Sequence, residues 1–294
     1  MSNEKLYIGS AQNILTGEAA EKALQKENDE KYFREDEGVS QVEKGRWVKA
    51  QTAEKQNWMQ LGLRAADDRN YDHAVHFEKY QSLGGFEFEH AVELGCGPFT
   101  NLRLIANVCR IQQCSLLDPL IDVYVTHPQC RYKSKKLIKD SFSSSEWMRT
   151  LRKAAWRIMP DRLRFRFPGI PVARTFSMPI EEMPLDVSYD LLVMINVIEH
   201  CYDVHLLLNN LLHVLKPGGI LVFHDRLYDA TVIRERVKDK YDAAHPLRVD
   251  RKILQDFLQK NFEPLFEKTD TKTHAFRGRE ETVKTVYFIG RKRI

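Results

Sequence analysis

The 294-residue chain is poor in cysteine, with five in all: Cys96, Cys109, Cys114, Cys130 and Cys201. An odd, irregularly spaced set excludes a disulfide framework and suits a reducing compartment. No two of them stand in C-x-x-C spacing, so no zinc site, and no metal, is expected. No apolar run approaches the ~20 residues of a membrane span. The polar first fifty residues lack the apolar stretch of a secretory signal. A cytoplasmic location is therefore the expectation. No internal repeat is visible, and a formal charge of +4 says little about partners.

What remains is an ordinary globular composition, 43% hydrophobic and 29% charged, enough to bury a core. Residues 1–85 read as a polar segment followed by a helical extension, with helices over about 42–66 and 73–83. Trp47, Ala50, Ala53 and Trp58 are spaced for one helix face, which Leu61 and Leu63 extend. From residue 86 onward, strands and helices alternate, which predicts a parallel sheet with right-handed crossovers. Strands are expected at His90–Gly95, Cys114–Pro119, Val172–Phe176, Tyr189–Asn196 and Ile220–Asp225. Helices are expected at Thr100–Cys109, Tyr202–Leu215 and Arg251–Phe262, with a turn at Lys216–Gly219. Two antiparallel strands close the chain.

The most informative segment is VELGCGPFTN, Val92 to Asn101. A strand leads through a Gly-x-Gly turn into a helix. Gly95 and Gly97 allow a tight turn and close approach of a ligand, and the helix start offers amides to an anionic group. Dinucleotide-binding turns usually carry a third glycine; here Thr100 takes that place. Glu93 would repel a pyrophosphate but suits an ammonium. Asp118, 21 residues after Gly97 at the end of the next strand, can accept two ribose hydroxyls.

These residues resemble the first motif of class I S-adenosylmethionine-dependent methyltransferases. SMPIEEMPLDVSYDLLVMINVIEH (Ser177–His200) is similar to that family's stretch through its fourth strand, and LLHVLKPGGILVF to its shared helix, turn and fifth strand. The resemblance covers about His90–Asp225. It departs at Pro98, where a small residue or glycine is usual. It implies a Rossmann-like, doubly wound, mostly parallel seven-stranded sheet with an antiparallel C-terminal edge, and S-adenosyl-L-methionine as cofactor. Glu93, Gly95 and Gly97 should line the methionine end, and Asp118 the ribose. Ile180 and Glu181 should flank the adenine, with Asn196 near the sulfonium. The cofactor is already a strong electrophile, so the protein's part is chiefly alignment.

Three histidines at the strand ends, His200, His224 and His245, are candidates to take a proton from a hydroxyl or amine. His205 and His213 lie within an apolar helix and read as structural. An insertion over about 127–171 is strongly basic, with Trp147, Leu151, Ala155 and Ile158 able to share a helix face. A lid, a site for an anionic acceptor, a contact with an anionic membrane surface and RNA binding all fit it. No nucleic-acid module motif accompanies it, which ranks RNA last. NVIEH after the fourth strand lacks the Asn/Asp-Pro-Pro-aromatic motif of base N-methyltransferases. Trp47–Trp58, in a W-x-x-A-Q-x-x-E-x-x-x-W pattern, and HPLRV (His245–Val249) resemble bacterial methyltransferases of polysaccharide or sugar pathways. A core helix with two tryptophans explains the first pattern equally well. The expectation is methylation of a small-molecule or glycan acceptor, at oxygen. The alternatives are N-methylation of a metabolite, RNA methylation, or a noncatalytic scaffold binding through the basic insertion. Oligomeric state is not legible.

Overall fold

A computed structural model describes residues 6–8, 14–16, 30–60, 69–126, 130, 132, 170–239, 242–276 and 279–294. Leu61, Leu63 and nearly all of the basic insertion lie outside these residues. The helices are α1 (Lys44–Gln60), α2 (Arg69–His76), α3 (Leu102–Ile105), α4 (Ile121–Tyr124), α5 (Val204–Val214), α6 (Ala230–Asp239) and α7 (Arg251–Asn261). The strands of the main sheet are β1 (Glu87–Leu94), β2 (Arg110–Leu117), β3 (Val172–Phe176), β4 (Tyr189–Ile195), β5 (Leu215–Leu227), β6 (Phe262–Phe276) and β7 (Arg279–Lys292).

These seven strands pair in the order β3-β2-β1-β4-β5-β7-β6. The first five are mutually parallel, while β7 runs antiparallel to both β5 and β6. The parallel part was expected from the alternation, and the Rossmann-like form with its antiparallel edge from the resemblance. Strand order reverses between β1 and β4, and a ligand crevice is expected at such a switch point. Smaller antiparallel pairs join Leu6–Ile8 to Ile14–Thr16 and Gly38–Val39 to Arg248–Val249.

The middle stretches of the central strands are apolar because both faces are covered there. Val92, Leu94, Leu192, Met194, Leu221 and Phe223 face a core shared with α5 and α7. Ala91, Leu191, Val193, Ile220 and Val222 face a second core shared with Tyr80, Leu104 and Tyr124. α5 starts on Asp203, whose carboxylate accepts a hydrogen bond from the Leu206 amide at 2.9 Å, as an N-cap should.

Three local expectations change. The helix expected over 100–109 is regular only across Leu102–Ile105. The next amides tighten onto carbonyls three residues back, at Asn107 and Val108, residue types that favour helix ends over interiors. The helix expected over 73–83 breaks after His76 into a 3₁₀ turn with positive φ at Glu78, Lys79 and Tyr80. That break lets Phe77 and Tyr80 stack in the core with centroids 5.1 Å apart. Lys216–Gly219 lies inside the span of β5, as an irregularity between the pairs Tyr189↔Leu215 and Leu191↔Ile220.

Candidate active site

The carboxyl ends of β1, β2, β4 and β5 open onto a cavity of about 400 Å³, within the usual range for small-molecule sites. Gly95, Gly97, Asp118, Ile180, Glu181, Asn196, His200 and His224 stand on its wall. Glu93 and His245 do not.

The turn after β1 is held by specific bonds. The Gly95 and Cys96 amides donate to the Leu117 carbonyl, at 2.8 and 3.2 Å. Gly95 has φ +65, and a Cβ there would lie 2.6 Å from Val197 Cγ2, so the position requires glycine. Gly97 has φ +54 with open space where a Cβ would stand, which leaves its backbone approachable by a ligand.

Glu93 is turned away from the cavity and buried. Its carboxylate accepts from Thr100 Oγ1, from Asn101 N and Nδ2 at 3.0 and 2.8 Å, and from Leu102 N at 3.3 Å. Burial pushes the Glu93 carboxyl up, and these hydrogen bonds oppose the shift. The residue caps α3 and pins the glycine turn from behind.

Asp118 ends β2 and lies on the wall. Its carboxylate accepts from Gly97 N at 3.0 Å and Leu120 N at 2.8 Å. Two amides do not exhaust a carboxylate's acceptor sites. Burial raises its pKa to about 6 despite those bonds.

Glu181 accepts from Tyr202 N and Asp203 N through Oε1, at 2.6 and 3.1 Å. Its Oε2 is buried without a hydrogen-bond partner, which leaves an acceptor for a ligand donor. Asn196, just past β4, has φ +58, a strained conformation that asparagine tolerates better than most residues. Its amide is tied to the His224 carbonyl at 2.8 Å. Such strain clusters at functional sites.

The histidines divide by environment. His224 Nδ1 is 2.9 Å from the Val286 carbonyl, and its ring stacks on Tyr287 at 4.1 Å. Donation from Nδ1 to that carbonyl leaves Nε2 as the ring's acceptor nitrogen. His200 is on the wall, and burial lowers its pKa against the pull of Glu54 and Glu199. His245 stands behind it, ring centroids 4.7 Å apart. Its Nδ1 is 2.9 Å from Asp242 and its Nε2 3.5 Å from Glu199. Burial pulls the His245 pKa down, but these acids hold it above its ordinary value. His205 is exposed beside Glu37, His213 is exposed, and neither lines the cavity.

Buried behind the wall, Asp225 accepts from Val197, Ile198 and Arg226 amides at 3.2, 2.9 and 2.8 Å, fastening the loop after β4 to β5. Several wall residues were not among the sequence candidates. Arg226 reaches the wall and pairs with Glu199 at 2.9 Å. Val283, Thr285 and Tyr287 reach the cavity from β7, and Arg69, Asp72, His73 and His76 from α2. The α1 residues Trp47 and Gln51 both donate to the His200 carbonyl, at 3.0 and 3.1 Å. The helical extension is thus part of the cavity wall.

A family described as a methyltransferase domain matches residues 59–273. The chain belongs to that family. It is an S-adenosylmethionine-dependent methyltransferase of class I. Among solved structures, it is similar to the N-methyltransferase NodS of Bradyrhizobium japonicum WM9, solved with S-adenosyl-L-homocysteine. That likeness has 16% identity, covers 76% of this chain and 87% of NodS, and has a TM-score of 0.41. A second is 1,6-didemethyltoxoflavin-N1-methyltransferase of Burkholderia thailandensis, at 12% identity, with 85% and 89% covered and a TM-score of 0.42. No curated protein matches the sequence. Among the described residues of this methyltransferase, no helix is long and apolar enough to cross a membrane.

Proposed function

We propose that this methyltransferase moves a methyl group from S-adenosylmethionine to a hydroxyl of a small polar acceptor, a sugar or similar metabolite, with His224 as general base. The supporting observation is that one cavity holds both sets of groups. Gly95, Gly97, Asp118 and Glu181 stand on the same wall as His224, Arg69 and Asp72. In this reading Asp118 accepts the ribose hydroxyls, Ile180 packs on the adenine, and Glu181 Oε2 accepts from its amine. Asn196 lies beside the sulfonium. Glu93 serves the methionine end indirectly, by fixing the glycine turn.

When bound, the cofactor supplies an electrophilic methyl, so the protein must align the acceptor oxygen and remove its proton. His224 Nε2 suits the second task, its tautomer being set by the Val286 carbonyl. His245 suits it less, since both ring nitrogens face acids. The mix of Arg69, Arg226, Asp72 and imidazoles on the wall favours a polar acceptor over an apolar one.

The test is calorimetry with S-adenosylhomocysteine, followed by product analysis on matched sugar alcohols and amines. Asp118→Ala should weaken cofactor affinity by about 1–2 kcal/mol, through loss of charged hydrogen bonds. Affinity of the unaltered protein should also fall as pH drops through about 6, where Asp118 takes up a proton. The variant should lack that dependence. Methylation confined to amines would overturn the oxygen assignment, and unchanged affinity in the variant would overturn the ribose assignment.

A further inference from the structure

We infer that Glu54, His200 and His245 form a binding site for a borderline divalent transition-metal ion beside the acceptor end of the cavity. Each offers one ligand atom, and the three atoms lie within 4.8 Å of one another. Bonds of ~2.1 Å to a shared ion bring donors somewhat closer than this, so roughly 1 Å of movement at the side-chain tips completes the site. Two imidazoles and a carboxylate match Zn²⁺ and its neighbours, whereas Mg²⁺ and Ca²⁺ favour all-oxygen sets.

The surrounding groups are arranged as metal sites arrange them. A ligating histidine usually gives its other N–H to a carboxylate, which fixes the tautomer. His245 Nδ1 stands 2.9 Å from Asp242 Oδ2, which leaves Nε2 as the ligating nitrogen. Asp242 is itself held by Arg248 at 2.9 Å. His200 Nδ1 is buried without a hydrogen-bond partner, the condition of a nitrogen that lacks its ligand. Trp58 Nε1 donates to Glu54 Oε1 at 2.8 Å, orienting that carboxylate. Glu199 Oε1 lies 3.5 Å from His245 Nε2, outside the three-residue cluster.

The same arrangement accounts for the tryptophan-flanked pattern on α1. Trp47 and Gln51 clamp the His200 carbonyl, one turn later Glu54 reaches the cluster, and Trp58 then braces Glu54. Cysteine spacing excludes a thiolate zinc site but is silent about one whose ligands are 146 and 45 residues apart in the chain. On the methyl-transfer reading given above, on which this role of the ion rests, the ion would hold an acceptor oxygen and favour its deprotonated form.

The experiment is titration of the untagged, metal-stripped full chain with ZnCl₂ in a calorimeter, without cofactor or acceptor. Co²⁺ absorption spectra report the ligand geometry. One Zn²⁺ per chain should bind saturably. Glu54→Gln and His245→Ala should each weaken binding at least tenfold, and Asp242→Asn about 10–100-fold. His213→Ala, on an exposed histidine, should bind as the unaltered chain does. Circular dichroism confirms that each variant is folded, and a Co²⁺ spectrum of Glu54→Gln altered from that of the unaltered chain supports the site even if His245→Ala fails to fold. Zn²⁺ affinity equal in the unaltered chain and Glu54→Gln would overturn the inference. So would binding of Mg²⁺ in preference to Zn²⁺. Because S-adenosylhomocysteine binding is measured separately, failure here leaves the methyl-transfer reading standing, and the reverse holds.

Discussion

His224→Asn should lower kcat by about 10²-fold or more while leaving S-adenosylhomocysteine affinity unchanged. Asparagine can place its amide nitrogen where the imidazole Nδ1 now meets the Val286 carbonyl at 2.9 Å, so the local packing survives. What it lacks is the acceptor nitrogen at the Nε2 position. Steady-state rates with the cofactor saturating, beside calorimetry with S-adenosylhomocysteine, give both readings. A variant with normal kcat would mean that the proton leaves by another route.

Glu93→Ala should cost about 3 kcal/mol of folding stability. The glutamate is buried with 1% of its surface exposed, and four donors converge on it: Thr100 Oγ1, Asn101 N, Asn101 Nδ2 and Leu102 N. Thr100 Oγ1 already receives Leu102 N at 3.1 Å, so one donor retains a partner. The rest lose theirs in a dry setting, which is why the cost exceeds that of an ordinary hydrogen bond. Urea unfolding measures the loss. The experiment also separates two roles for this acid. If Glu93 touched the cofactor ammonium directly, the variant would lose cofactor affinity and keep its stability. A cap on α3 predicts a clear loss of stability, with affinity falling only as far as the glycine turn loosens.

The core sheet was legible because its signals are local. β3 was expected at Val172–Phe176 and lies there. β1, β2 and β4 came within a few residues of their expected bounds, since each is a buried apolar run with a polar or glycine stop. Asp118, Gly95 and Gly97 share one cavity wall, as spacing along one βαβ unit leads one to expect. Glu93 was expected to line the methionine end of the cofactor, but its carboxylate is turned from the cavity to Thr100, Asn101 and Leu102. Whether a carboxylate at the end of a strand faces the cavity or the next helix depends on how Thr100 and Asn101 turn, and propensity does not report that.

The acceptor side was far less legible. Val283, Thr285 and Tyr287 reach the cavity only because β7 pairs in register with β5, Tyr287 opposite His224. Arg69, Asp72, His73 and His76 count as wall residues only because α2 folds over the carboxyl ends of the strands. Residues 1–85 read as a polar segment and helical extension, and spacing alone did not report that Trp47 and Gln51 within it bond to the His200 carbonyl in the loop after β4.

The chain's own order of residues indicated the parallel sheet and the Gly-x-Gly turn after β1, because backbone geometry and apolar periodicity act over one or two elements at a time. Packing between distant segments decided which side chains share a cavity: Glu54 with His200 and His245, and Asp225 with the loop after β4. A charged or imidazole side chain acquires its role from neighbours brought in by that packing, and no spacing rule carries that information across tens of residues.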